Sequence, residues 1–148
     1  MRYIPYSQRK KTTFTGENGN IDDIMRRLAS VESAGTPDPY KALGPTVETG
    51  QYAGERALGK FQVMPGNVAS WSREALGYEI TPEQFLNSPD LQEKIVRYKT
   101  EQNFKKYGNA DDVASVWFTG RPVSEAQGAA DVTGTDVTEY LRRYNSRS

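Results

Sequence analysis

The sequence predicts a mostly α-helical single domain, and three observations carry that prediction. Apolar residues recur at helical spacing in several segments, bounded by the Asn, Ser-Pro, Thr-Pro and Gly signals that begin and end helices. No alternation of apolar and polar residues of comparable quality competes with them, and no internal repeat is visible. The one long interruption, Thr36-Pro-Asp-Pro-Tyr-Lys-Ala-Leu-Gly-Pro45 continuing through Gly50 and Gly54, is too rich in Pro and Gly for regular structure. It is also too long for a simple connector.

Residues 1–20 are polar, carry Arg2, Arg9, Lys10 and Lys11, and read as an arm, either a free basic tail or a segment that orders against a partner. Asn20 is a suitable N-cap for a first helix with the apolar stripe Ile21, Ile24, Met25, Leu28 and Val31. A second helix is expected from Asn67 to Leu76, with Val68, Trp71 and Ala75 inside and Gly77 as its stop. Thr81-Pro82 opens a short helical turn. Ser88-Pro89 supplies an N-cap and a first-position Pro for a long helix with Leu91, Ile95 and Tyr98 on its stripe, ending at Gly108. A further helix follows Asn109 or Asp111 and carries Val113, Val116 and Trp117. Residues 120–134 read as loop, and Thr135 is expected to cap a last helix bearing Val137, Tyr140, Leu141 and Tyr144.

Composition narrows the chemistry. With 148 residues the chain can bury a real core, yet it holds no His and no Cys. That removes the Ser-His-Asp triad, the Cys nucleophile and His- or Cys-ligated zinc. No cofactor is expected; reactions would fall to carboxylates, hydroxyls, Lys or an all-oxygen metal site. Nineteen basic and nineteen acidic residues balance to zero, so no whole-chain signature of nucleic-acid binding exists. No segment approaches the roughly 20 apolar residues of a bilayer span, and the N-terminus lacks the apolar stretch of a signal peptide. A protein of this kind acting outside a cytoplasm would be delivered by another route.

Glu32 is the residue that stands out. At about 100° per residue it falls within about 20° of Ile21, between Leu28 and Met25, at the last turn of an amphipathic helix. A carboxyl in an apolar wall has its charged form disfavoured and can hold a proton near neutrality, as a general acid must. The alternative is a helix-end Glu that leans out to solvent.

Glu32-Ser33-Ala34-Gly35 at a helix end, followed by Gly59-Lys-Phe-Gln62-Val-Met64-Pro65, resembles the soluble-type lytic transglycosylases (the SLT domain), a family related to goose-type lysozymes. The family's later motifs have counterparts in Val116-Trp-Phe-Thr-Gly120 and Glu139-Tyr140-Leu-Arg-Arg-Tyr144, in family order, and the match covers roughly residues 21–145. Three departures accompany it. Thirty positions separate Glu32 from Gln62, longer than the family's usual spacing; Phe118 stands where the family has Asn; and a Ser preceding the second motif has no equivalent, Ala53 being nearest. The long loop and the Trp-Phe-Thr-Gly-Arg-Pro form look more like phage-encoded members.

The resemblance implies a lysozyme-like helical domain over residues 21–148 with a long Gly/Pro-rich cleft loop. It also implies cleavage of the β-1,4 bond between N-acetylmuramic acid and N-acetylglucosamine in peptidoglycan. Glu32 would protonate the leaving oxygen and then take the proton of the muramoyl C6 hydroxyl as it closes a 1,6-anhydro ring. Ser33, Gln62, Met64, Trp117, Phe118 and Tyr140 would contact substrate or, for Ser33 and Tyr140, support Glu32. Each also has an ordinary reading as core, loop anchor or surface hydroxyl. The expected partners are glycan strands and, through residues 1–20, other phage virion or tail proteins, with no nucleic acid and no membrane. The setting implied is a virion component acting on the bacterial wall, or a lysis enzyme. An inverting muramidase is the first rival, needing a second carboxylate about 6.5–9.5 Å away to activate water, with Glu48 and Glu55 as the candidates. A virion structural protein with a vestigial site is the second.

Overall fold

Helical periodicity in the sequence becomes six helices among the described residues. The computed structural model describes residues 17–126 and 136–146. They form α1 (Glu17–Glu32), α2 (Pro65–Leu76), α3 (Pro82–Leu86), α4 (Pro89–Tyr107), α5 (Ala110–Thr119) and α6 (Val137–Ser146), with short 3-10 turns at Pro39–Lys41 and Val123–Glu125. No strand occurs among the described residues, so the class is mostly α. None of these helices is long and apolar enough to cross a membrane. The chain divides into two compact units: α1 up to Val31 with the segment from Thr100 onward, and Glu32–Lys99.

In the first unit α1 begins at Glu17, a turn earlier than the sequence predicts. Asn20 therefore lies inside the helix instead of capping it, and residues 17–20 belong to α1 and not to the arm. Residues 1–16, the rest of that arm, lie outside the described residues. The predicted stripe is buried at Ile21, Ile24, Met25 and Leu28, joined by Ala29, while Val31 is half-buried. Phe104, Val113, Ala114, Val137, Tyr140 and Tyr144 complete the apolar interior, and α5 packs on α6. Each large side chain removed from water contributes about 1.5–3 kcal/mol.

Local chemistry decides the ends of these helices. Of the two predicted caps of α5, Asn109 is used: its Oδ1 accepts the Asp112 N–H at 2.9 Å. The helix stops at Gly120, whose φ of 83° suits the left-handed terminal position. At α6 the capping carboxylate is Asp136, which accepts the Glu139 N–H at 2.9 Å; Thr135, expected in that role, lies outside the described residues. Arg27 donates to the carbonyls of Tyr144 and Asn145 at 3.1 Å each, satisfying acceptors that the end of α6 would leave open.

In the second unit the Pro- and Gly-rich stretch has no helix or strand beyond the 3-10 turn Pro39–Lys41, as expected, but its backbone is paired. Gly44 N–H bonds to Ala57 O at 2.9 Å, Gly59 N–H to Ala42 O at 2.7 Å, Val47 N–H to Glu55 O at 2.8 Å and Gly54 N–H to Val47 O at 2.7 Å. Residues 42–47 thus run antiparallel to 54–59 as a loosely laddered hairpin, with Leu43 opposite Leu58. Neither arm, Ala42-Leu-Gly-Pro-Thr-Val47 or Gly54-Glu-Arg-Ala-Leu-Gly59, alternates apolar and polar residues, so the sequence pattern does not reveal the pairing.

The hairpin leads into α2, which starts at Pro65 with Met64 as the flanking residue, ahead of the predicted cap Asn67. Pro is suited to that first position because its missing N–H has no partner to lose. Gly77 ends α2 as predicted, with φ 86° and its N–H on Arg73 O at 3.0 Å. On α2 the buried residues are Val68 and Ser72, while Trp71 and Ala75 are half-buried. The Ser72 hydroxyl accepts the Ile80 N–H at 3.0 Å. Thr81 and Gln84 form a reciprocal capping box on α3, which packs against α2. Ser88 accepts the Leu91 N–H at 3.2 Å and Pro89 opens α4, as the sequence signals require. The inner face of α4 is rotated from the predicted one: Gln92, Ile95 and Val96 are buried, and Leu91 and Tyr98 are half-buried.

Candidate functional site

Leu58 and Val63 exchange backbone hydrogen bonds of 2.8 and 2.9 Å, so residues 59–62 form a tight four-residue turn. Its two ends are both left-handed, Gly59 at φ 79° and Gln62 at φ 55°. Glycine reaches that region freely. Gln62 does not, and it is the one non-glycine residue with positive φ among the described residues. Such a conformation costs about 1–2 kcal/mol in an L-residue, so other contacts must hold it. The Gln62 N–H bonds to Gly59 O at 3.2 Å, and its side-chain Nε2 donates to the same carbonyl at 3.0 Å and to Ala42 O at 3.4 Å. Its Oε1 is turned toward Gly44, where a Cβ would stand only 2.5 Å away. The side chain is half-buried between the turn and the first arm of the hairpin.

Two consecutive residues of α4 brace this turn. The buried Gln92 accepts the Lys60 N–H on Oε1 at 3.1 Å and donates through Nε2 to Tyr40 O at 2.9 Å and Phe85 O at 3.1 Å. Gly59 has to be glycine here for a second reason, since a Cβ would come within 2.3 Å of Gln92 Oε1. Beside it the Glu93 carboxylate accepts the Tyr40 hydroxyl at 2.6 Å and the Lys60 ammonium at 2.9 Å. Lys60 Nζ also lies 5.0 Å from the Tyr40 ring centre and 5.4 Å from that of Phe61. The bond to Glu93, with burial behind it, raises the Tyr40 hydroxyl above its usual pKa. For Lys60 burial pulls the other way, but the bonds to Glu93 and Tyr40 outweigh it and the ammonium is held above its usual range.

Glu32 is the last residue of α1 and is half-buried, followed by a turn in which Ser33 O accepts the Thr36 N–H at 3.2 Å and Gly35 takes φ 76°. Ser33 is half-buried. Met64, also half-buried, joins the turn to α2. Glu32, Ser33, Gln62 and Met64 belong to the same compact unit. Of the two candidate second carboxylates, Glu48 is exposed near the hairpin tip. Glu55 is half-buried, and its Oε1 is shielded from solvent with no hydrogen-bond partner. Both Glu55 oxygens lie within 4 Å of the position a Cβ on Gly66 would take, in the first turn of α2, where the helix dipole favours negative charge.

In the other unit, Phe118 and Tyr140 are brought together as stacked rings, 4.4 Å between centroids and 14° between planes. Tyr140 is buried and Phe118 and Trp117 are half-buried, so packing takes up much of these residues. Among the described residues no three acidic side chains are grouped to hold a metal ion.

No known protein family, curated protein or solved structure matches the chain. Tyr40, Lys60, Gln92 and Glu93 were not singled out by sequence reasoning. A signal for one existed: Gln92 precedes Ile95 by three and Val96 by four, a polar side chain on an apolar helix face. Gln92 is marked on α4 in the same way as Glu32 is on α1.

Proposed function

We propose that this chain is a peptidoglycan lytic transglycosylase, lysozyme-like in fold, that cleaves the β-1,4 bond between N-acetylmuramic acid and N-acetylglucosamine. Glu32 protonates the glycosidic oxygen as its bond to C1 breaks. The resulting carboxylate then takes the proton of the muramoyl C6 hydroxyl while O6 bonds to C1, closing the 1,6-anhydro ring. A single carboxyl suffices because the substrate supplies its own nucleophile.

The observation that carries this reading is the conformation of Gln62. Backbone strain concentrates where function needs a fixed side chain, and the strained residue here is among those to which the family resemblance assigns substrate contact. With Nε2 committed to two backbone carbonyls, Oε1 is the acceptor it would offer to an acetamido N–H. The half-buried Glu32 at a helix end supports the same reading. Met64 and Ser33 complete the proposed contacts in that unit; for Trp117, Phe118 and Tyr140, on α5 and α6, substrate contact rests on the family resemblance alone. The setting proposed with it is a phage particle or lysis system acting on the bacterial wall.

A second reading has one observation in its favour. The shielded Glu55 Oε1 without a partner is what a water-activating base of an inverting muramidase would present. Mass spectrometry of muropeptides from digested sacculi, with Glu32→Gln in parallel, separates the two. Anhydromuramoyl ends from the wild type alone are expected. Reducing ends would transfer the reading to hydrolysis with Glu55. Binding to sacculi without cleavage by either protein would leave a structural wall-binding protein.

A further inference from the structure

We propose that Gln92 is the positioning residue for Gln62, fixing the turn that presents it. In its kinetic consequence this rests on the transglycosylase reading; in its structural consequence it does not. Gln92 is fully buried, yet it is an amide where Leu or Met would fill the face of α4. Burying an amide is unfavourable unless its groups are bonded. Here they are: Nε2 donates to Tyr40 O, Phe85 O and Leu86 O at 2.9, 3.1 and 3.3 Å, and Oε1 accepts the Lys60 N–H at 3.1 Å.

One side chain therefore joins three stretches of backbone: the 3-10 turn Pro39–Lys41, the end of α3 and the turn at 59–62. Lys60 is the second residue of that turn. Gly59, its first, packs so closely that no other residue leaves room for the Gln92 oxygen. Glu93 ties residues 40 and 60 again from the more exposed side. Two neighbouring α4 residues thus make the same cross-connection, one inside and one at the rim. The Gln62 backbone closes on Gly59 O, so a shift of residues 59–60 is passed directly to Gln62.

The test uses Gln92→Met and Gln92→Glu in the full chain. Gln92→Met keeps the volume and loses every bond. We expect its kcat on purified glycan strands to fall about tenfold to a hundredfold, as a misplacement on the order of 1 Å does, with binding to sacculi retained. An ionised Glu at 92 has no proton for the three carbonyls, whereas a protonated one restores a donor and an acceptor. The kcat of Gln92→Glu relative to wild type should therefore recover as pH falls. A residue that only adds global stability would lower Tm and leave the kcat of the folded enzyme and its pH profile unchanged, and that result would overturn the proposal.

Amide hydrogen exchange in the wild type supplies an independent arm, decisive even where the variants fail to fold. The Lys60 amide should be protected like amides inside α4. Exchange at the rate of an open loop would overturn the proposal too. A wild type that cleaves no glycan while Lys60 remains protected would refute the transglycosylase reading and leave Gln92 as the anchor of the turn.

Discussion

Gly44→Ala should displace the Gln62 amide without unfolding the protein. A Cβ at 44 would lie 2.5 Å from Gln62 Oε1, 3.3 Å from Ala57 Cβ and 3.5 Å from Ala57 N. The Ala57 contacts are tight to ordinary, so only the Gln62 amide must give way, by about 0.9 Å to reach ordinary contact at about 3.4 Å. That amide is the far end of a flexible side chain and can swing at modest cost. Swinging sacrifices its bond to Gly59 O, about 0.5–1.5 kcal/mol net, together with the long, weaker contact to Ala42 O. Gly44 is not in the left-handed region, so replacing it by Ala stiffens the unfolded chain and returns about 0.4–1 kcal/mol. The two nearly cancel. Melting by circular dichroism should move by no more than about 4 °C, since 1 kcal/mol shifts Tm by roughly 2–4 °C at this size. Turnover on purified glycan strands should fall tenfold or more if Gln62 must present its amide in place. Unchanged turnover with a displaced amide, seen as an altered Gln62 side-chain amide resonance, would refute the assignment of Gln62. A loss of Tm far beyond 4 °C would refute the steric reasoning.

Two further outcomes follow from the same unit. Gly59→Ala meets two penalties at once, a left-handed backbone (φ 79°) and a clash 2.3 Å from Gln92 Oε1. It should cost at least about 2 kcal/mol in urea unfolding, clearly more than Gly44→Ala, and equal values for the pair would contradict the geometry. Tyr40 and Lys60 are both held above their usual pKa values of 10.0 and 10.5, so the fold binds their protons more tightly than the unfolded chain. Their contribution is complete below about pH 10 and is lost as pH rises through the raised values. Tyr40→Phe should therefore cost about 1 kcal/mol at pH 8, discounted for partial exposure, with the gap to wild type closing in alkaline solution. A gap that widens with pH would reverse the assigned direction.

Legibility in the sequence followed the physical range of each signal. Caps and stops involve a few adjacent residues, so Gly77, Thr81 and Ser88 could be read directly and the cap of α5 narrowed to Asn109 or Asp111. Where two local signals compete, reading failed: Pro65 starts α2 ahead of Asn67, and the helix of Ile21 reaches back to Glu17 through polar residues that carry no stripe. The apolar stripe on α1 was visible because its members are apolar. The inner face of α4 was misjudged by one position because Gln92 sits on it. The hairpin at 42–59 was invisible because its arms carry no apolar alternation, and the brace of Tyr40, Lys60 and Glu93 because its members are 20 to 53 positions apart. Gln62 was legible only through resemblance; nothing in a one-dimensional pattern marks a left-handed glutamine.

A chain shaped by stability alone would not have this turn. Glycine at 62 would relieve about 1–2 kcal/mol of backbone strain, and an apolar residue at 92 would fill the face of α4 without desolvating an amide. Unfavourable choices occur elsewhere too. Thr100 and Tyr144 each bury a hydroxyl without a partner, and burial drives the Tyr144 hydroxyl well above its usual pKa. Tyr144 differs in kind, because its ring fills the core beneath Arg27 and only one terminal atom is left unmatched. Gln62 and Gln92 are instead joined through residues 59 and 60, each compensated by bonds that make sense only if the turn holds one shape. Two separate costs converging on four residues argue that the geometry of the turn is what is maintained. The side chain that this geometry sets in place is Gln62.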